Sequence, residues 1–145
     1  MNLEARELAH PNASEFGEPA TILVAEDEVL IRFAIADFLV ERGFKVHEVG
    51  NVAEAIAVLE ANLDIDVVFT DIRMPGTMTG LDLARWVRVN RPGLAVLLTS
   101  GEIRKGEIST DAVVSAPFFE KPYDLNRVVA YICALTQAKS RNSTH

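Results

Sequence analysis

Little in this chain of 145 residues suits it to cross-linking, to crossing a bilayer or to gripping nucleic acid. Its single cysteine, Cys133, has no second thiol to pair with, so no internal disulfide forms. No apolar run approaches the roughly 20 residues that a membrane-spanning helix needs. The opening stretch MNLEARELAHPNASEFGEPA carries Glu4, Glu7, Glu15 and Glu18, with neither a basic start nor an apolar run behind it, so it does not read as a secretory signal. Basic residues are scarce too. Against 21 Asp and Glu stand 14 Lys and Arg, a net charge of −7, which leaves no concentrated cationic face for phosphate backbones. These shortages predict a soluble cytoplasmic protein with no direct nucleic-acid partner and no membrane insertion. Internal repeats and low-complexity blocks are absent as well.

What the chain does have is apolar residues, 49% of the total, enough for one core in one domain of ordinary size. They come in an alternating order. TILVA (21–25), KVHEV (45–49), IDVVFT (65–70), LAVLLTS (94–100) and a short PFFE (117–120) are apolar or β-branched runs of strand length. Between them lie helical patterns over 28–42, ended by Gly43, and over 52–62, 80–90 and 124–138. Strands that alternate with helices, and are apolar on both sides, predict a parallel sheet covered on both faces. Residues 1–19 read as a flexible lead-in, 20–138 as the single folded domain and 139–145 as a polar tail. Residues 101–116 sit where a fourth helix belongs, but they hold Gly106, Ser109 and Thr110 and no clean 3.6-residue period. A short or irregular helix is the expectation there.

The strand ends carry the chemistry. TILVA runs into Glu26, Asp27 and Glu28, and VVFT runs into Asp71. An open parallel sheet binds ligands outside the carboxyl ends of its strands, where strand order reverses. If the first and third strands are neighbours there, Glu26, Asp27 and Asp71 converge on one cleft. Two like charges about 4 Å apart repel by roughly 4 kcal/mol at an effective dielectric near 20, so such a cluster calls for a cation or a proton, a hard divalent ion being the simplest compensation. All-oxygen ligands in small number suit Mg²⁺. Taken singly, each acid reads as an ordinary turn or cap residue. Taken together with Thr99 and Ser100 at the end of the fourth strand and Lys121 at the end of the fifth, they form a set suited to handling a phosphoryl group.

The motifs ILVAEDE, TDIRMPG followed by GLDLA, LLTSG and EKPY together resemble the receiver domain of bacterial two-component response regulators, over about residues 20–138. The resemblance implies a flavodoxin-like (βα)5 three-layer sandwich with a five-stranded parallel sheet of order 2-1-3-4-5, an order that general accounts of such sheets illustrate with this family. It implies Asp71 as the residue phosphorylated by a sensor histidine kinase or histidine phosphotransfer protein. Mg²⁺ would be held by Asp27 directly, by Glu26, where many relatives have Asp, by Asp71 and by the backbone carbonyl of Arg73. Lys121 would pair with the phosphoryl oxygens. For the switch hydroxyl, the family pattern puts Ser100 in place, with Thr99 as runner-up, and Phe118 matches the aromatic that turns inward. Arg73 and Glu102 would flank the phosphoryl group. From Val29 to Val40 only Arg32 and Asp37 are polar, more apolar cover than one buried stripe requires. In the family this helix docks on the kinase, which suggests Ile31, Ala34 and Phe38 as a docking patch.

Besides Glu26, the chain departs from the family where MPGTMTG has one more residue between Pro75 and Gly80 than most relatives, where Ala95 replaces a Pro, and in the irregular 101–116 segment. The expected role is that of a stand-alone phosphoacceptor rather than an enzyme, acting on an unknown protein target by contact, relay or drainage of phosphate. A receiver fold working without phosphorylation is the alternative. A flavin-binding flavodoxin-like protein would want Gly, Ser or Thr after the first strand, where EDEV stands. A haloacid-dehalogenase-like phosphatase would want a second Asp where Arg73 stands.

Overall fold

The computed structural model describes residues 19–62, 64–101 and 116–143. Its elements follow the alternation of the sequence: β1 (Thr21–Ala25), α1 (Val29–Glu41), β2 (Lys45–Val49), α2 (Val52–Ala61), β3 (Val67–Asp71), α3 (Gly80–Asn90), β4 (Ala95–Ser100), β5 (Phe118–Glu120) and α4 (Leu125–Ser143). The five strands form one sheet in the order β2-β1-β3-β4-β5, parallel throughout, which is the flavodoxin-like arrangement. The reversal of order falls between β1 and β3, so the acids at their ends are neighbours.

Side chains alternate across a strand, and here the alternation divides the interior into two cores. Ile22, Val24, Val67, Phe69 and Leu97 face α1 and α4 and pack with Leu39, Val128 and Ile132. Leu23, Ala25 and Val68 face the opposite way, onto Val52 and Leu59 of α2 and Leu83 and Val87 of α3. β1 and β3 are buried along their whole length because they are central and covered on both sides. β2 is an edge strand, which explains why Lys45, His47 and Glu48 are exposed in a segment that reads as a strand. Charged side chains on an edge discourage further pairing.

The helix ends are written locally. α1 closes with Gly43 at φ 95°, while Gly43 N–H donates to the Val40 carbonyl and Phe44 N–H to that of Leu39. α2 opens on Asn51, whose side chain accepts from Glu54 N–H at 2.8 Å. α3 opens on a reciprocal box, in which Thr79 Oγ1 accepts from Asp82 N–H and Asp82 Oδ2 accepts from Thr79 N–H.

Two boundaries differ from the sequence reading. β3 begins at Val67 and takes in Asp71 as its last residue, so the acid belongs to the sheet rather than to the turn after it. α4 continues through Ser143, into the stretch read as a polar tail. Polarity does not stop a helix, and Gln137, Ala138, Lys139 and Arg141 are good helix formers. The short fourth helix expected over 101–116 lies, apart from its two end residues, outside the described residues.

Candidate functional site

At the carboxyl edge of the sheet, β1 delivers Glu26 and Asp27, β3 delivers Asp71, and the turn after β5 delivers Lys121. One carboxylate oxygen from each of the three acids lies within 4.8 Å of the others. At that separation a pair of bare charges repels by about 3–4 kcal/mol at an effective dielectric near 20. Lys121 relieves part of this. Its Nζ donates to Asp71 Oδ2 at 2.9 Å and to Glu26 Oε1 at 3.1 Å. The second oxygen of Asp71 accepts from Arg73 N–H at 3.2 Å, and that of Glu26 from Glu28 N–H at 3.1 Å. Glu26 is 2% exposed and Asp71 8%, while Asp27 stands open at the mouth.

Three carboxylates against one ammonium leave an excess of two negative charges in a half-enclosed cleft. The cluster can bind a metal ion, and its donor set is all oxygen with one exposed member, which fits a hard divalent cation that keeps part of its water. Burial pushes the Glu26 carboxyl above its usual range, with the Asp71 charge adding to the rise, while Glu28 N–H and Lys121 pull the other way. Burial by itself would lower the Lys121 ammonium, but its bonds to Asp71 and Glu26 outweigh that and raise it well above the ordinary lysine range.

Tyr123, two residues beyond Lys121, is a neighbour of the cluster that carries no signal in the sequence beyond its place in EKPY. Its ring packs edge-on against Phe69 at 5.9 Å, and burial first of all pushes its phenol up to about 12, against a side-chain hydrogen bond with Thr99 and the Lys121 charge. The fold therefore holds the phenol proton where the unfolded chain has lost it. Stability from this residue is complete below the unfolded value of 10.0 and is lost as the pH rises through about 12. The raised Lys121 acts in the same direction. Alkaline absorbance titration should show a phenol ionising near 12 that Tyr123→Phe removes. Unchanged titration in that variant would refute the assignment.

The strand register sorts the two candidate hydroxyls. Asp71 lies opposite Thr99, and Phe119 opposite Thr99 on the other side, so Thr99 shares the face of Asp71. Ser100, opposite Glu120, shares the other face with Leu98 and its partner Phe118. Both hydroxyl residues are buried, whereas the Arg73 side chain is exposed. Glu102 lies outside the described residues.

The suggested docking patch, Ile31, Ala34 and Phe38, is unevenly exposed. Ile31 and Phe38 are partly buried against the α1/α4 core, and Arg42 stacks over the Phe38 ring at 4.4 Å. Of the three, only Ala34 is exposed. The open face of α1 is instead Leu30, 82% exposed, with Phe33 and Ala34. Composition predicts the surplus of apolar cover but not its phase, because a helix with few polar residues has no polar stripe to orient it.

Comparison with known proteins agrees with this geometry. The family model described as the response regulator receiver domain matches residues 22–133. The transcriptional regulatory protein PdtaR of Mycobacterium tuberculosis is 34% identical over 116 residues, covering 79% of this chain and 55% of PdtaR. The sensor kinase CckA of Brucella abortus is 29% identical over 132 residues, covering 88% of this chain and 14% of CckA. The chain thus spans about half of one curated relative and a small part of the other. A response regulator receiver protein from Sinorhizobium medicae has a crystal structure that superposes with a TM-score of 0.74 at 30% identity, covering 81% of this chain and 94% of that one. Among the described residues no helix is long and apolar enough to cross a membrane.

Proposed function

The chain belongs to the response regulator receiver domain family, and from that premise we propose that Asp71 accepts a phosphoryl group from a phosphohistidine on a sensor kinase or histidine phosphotransfer protein. The observation that carries this reading is the convergence of Glu26, Asp27 and Asp71 within 4.8 Å, with Lys121 bonded to two of them.

Each residue has a distinct task. A carboxylate oxygen of Asp71 attacks phosphorus as the nitrogen–phosphorus bond of the donor breaks, and the departing imidazole keeps the bonding pair and takes up a proton. Lys121, already on Asp71 Oδ2, follows the charge that spreads over the transferred oxygens. Asp27, Asp71, the Arg73 carbonyl and Glu26 would hold Mg²⁺. When bound, that ion neutralises charge on the phosphoryl oxygens and aligns them. Water reverses the state by cleaving the oxygen–phosphorus bond, which is self-dephosphorylation and not turnover of a substrate.

Ser100 is the hydroxyl that we assign to the phosphoryl group. Support comes from the family pattern and from its place on the face of Phe118, the aromatic that the same pattern pairs with it. Movement of Ser100 toward new negative charge would draw Phe118 with it and change the surface beside β4 and β5. Output through a protein target follows from this, as does a place in the cytoplasm beside the kinase.

Incubation of the chain with phosphoramidate should add the mass of one phosphoryl group when Mg²⁺ is present and not when it is chelated. Absence of uptake in both conditions would sink the reading. The kinase-facing surface, as now drawn, is Leu30, Phe33 and Ala34. Leu30→Glu should slow transfer from a cognate kinase about tenfold or more, the size of a lost apolar anchor, while uptake from phosphoramidate is unchanged. Equal kinetics from the kinase would exclude this face.

A further inference from the structure

We propose that Arg32 is a positioning residue for the acidic cluster, bracing the turn between β1 and α1 against the end of β2. The inference rests on the reading of that cluster as a magnesium-dependent phosphoacceptor site and adds to it a residue outside the set of ligands. Arg32 lies in the first turn of α1 and folds back along the chain, so that Nη1 donates to the Glu26 carbonyl oxygen at 3.0 Å. Its Nε lies 3.5 Å from Glu48 Oε1 on β2. The β2–α2 turn closes over the guanidinium, since a Cβ on Gly50 would lie 3.1 Å from Arg32 Nη1. One side chain therefore ties together three segments at the mouth of the cleft.

As a stabilising device this arrangement is poor. Glu48 is half-exposed and its distance from Nε is long for an ion pair, so the pair contributes little. Nε is itself buried with no hydrogen-bond partner, which costs stability. The strong contact is the charge-assisted bond to the Glu26 carbonyl. That bond fixes the peptide between Glu26 and Asp27, and with it the direction in which the Asp27 carboxylate leaves the chain. Glu26 has its own restraints in Lys121 and Glu28 N–H. Among the described residues the Asp27 carboxylate has no hydrogen bond or ion pair, so its aim depends on the backbone that Arg32 holds.

The brace and the bare charge of Arg32 predict opposite effects on metal binding. A cation beside the cluster repels a second cation, so charge alone means that removing it tightens Mg²⁺ binding. A brace means that removing it weakens binding, as loss of an outer partner of a metal ligand commonly does. Calorimetric titration of the full chain with Mg²⁺ separates the two. Arg32→Gln should bind about tenfold more weakly than the natural chain. Arg32→Lys keeps the charge but cannot span the Glu26 carbonyl and Glu48 together, and should bind several-fold more weakly. In metal-free protein, amide exchange at Asp27 and Glu28 should speed up in both variants while α2 and α4 are unchanged. Equal or tighter Mg²⁺ binding with unaltered exchange would overturn the brace. Should Arg32→Gln fail to fold, Arg32→Lys decides alone. Failure of the underlying site looks different, because the natural chain would then show no Mg²⁺ binding that Asp27→Asn removes. The metal-free exchange measurement would still decide whether Arg32 holds the turn.

Discussion

Asp71→Asn is expected to lower phosphoryl uptake from phosphoramidate from one group per chain to none detectable by intact mass. The amide is nearly isosteric with the carboxylate but keeps a single acceptor oxygen, so it can accept from Arg73 N–H or from Lys121, which bond different oxygens of Asp71, and not from both. What it lacks is the nucleophile, because the amide lone pair is delocalised and its oxygen carries no full charge. Stability should move little, by about 1–2 kcal/mol either way. Lys121 keeps Glu26 as a partner at 3.1 Å, and the substitution removes one of three mutually repelling charges. Retention of the added mass would show that another residue is the acceptor, and loss of folded structure would show in thermal unfolding measured beside it.

Gly80→Ala should be strongly destabilising, because the start of α3 lies directly against the end of β3. A Cβ on Gly80 would sit 2.1 Å from the Asp71 carbonyl oxygen and 2.9 Å from both the Asp71 carbonyl carbon and Ile72 Cα. All three are backbone atoms, so no side chain can rotate away, and either the end of β3 or the start of α3 must move. The two are already tied by the 2.7 Å bond from Gly80 N–H to the Ile72 carbonyl. Overpacking of this kind costs about 3 kcal/mol or more, a fall in Tm of roughly 10 °C in a domain of this size. The displaced peptide is that of the acceptor itself, so phosphoryl uptake should also slow at temperatures where the variant is folded. Gly93→Ala is the control, since a Cβ there meets nothing within 4 Å. A Gly80→Ala protein with a Tm like that of the control would show that the helix and strand can separate freely.

Gly80 also explains the longer loop noted between Pro75 and α3. Gly76, at φ 96° and with open space around it, turns the chain outward, and the Thr79–Asp82 box starts the helix again. The return of the chain to β3 is therefore fixed by Gly80 and not by loop length.

Local sequence pattern suffices for the alternation of strands and helices and for the acid or lysine at the ends of β1, β3 and β5. These depend on periods of two and 3.6 residues and on caps such as Asn51 and Thr79, all written within a few positions of where they act. The pairing of the charged groups comes from the packing of the whole sheet, since Lys121 meets Asp71 across 50 positions of the chain and Glu26 across 95. Tertiary packing likewise chose the exposed face of α1, the face on which each hydroxyl lies, and the service of Arg32 to the β1 turn. Being one of two charges between Val29 and Val40 was the mark that set Arg32 apart in the sequence. Its partners became visible only when β1 and β2 lay side by side, because contact in space follows the packing of whole elements and leaves no local pattern.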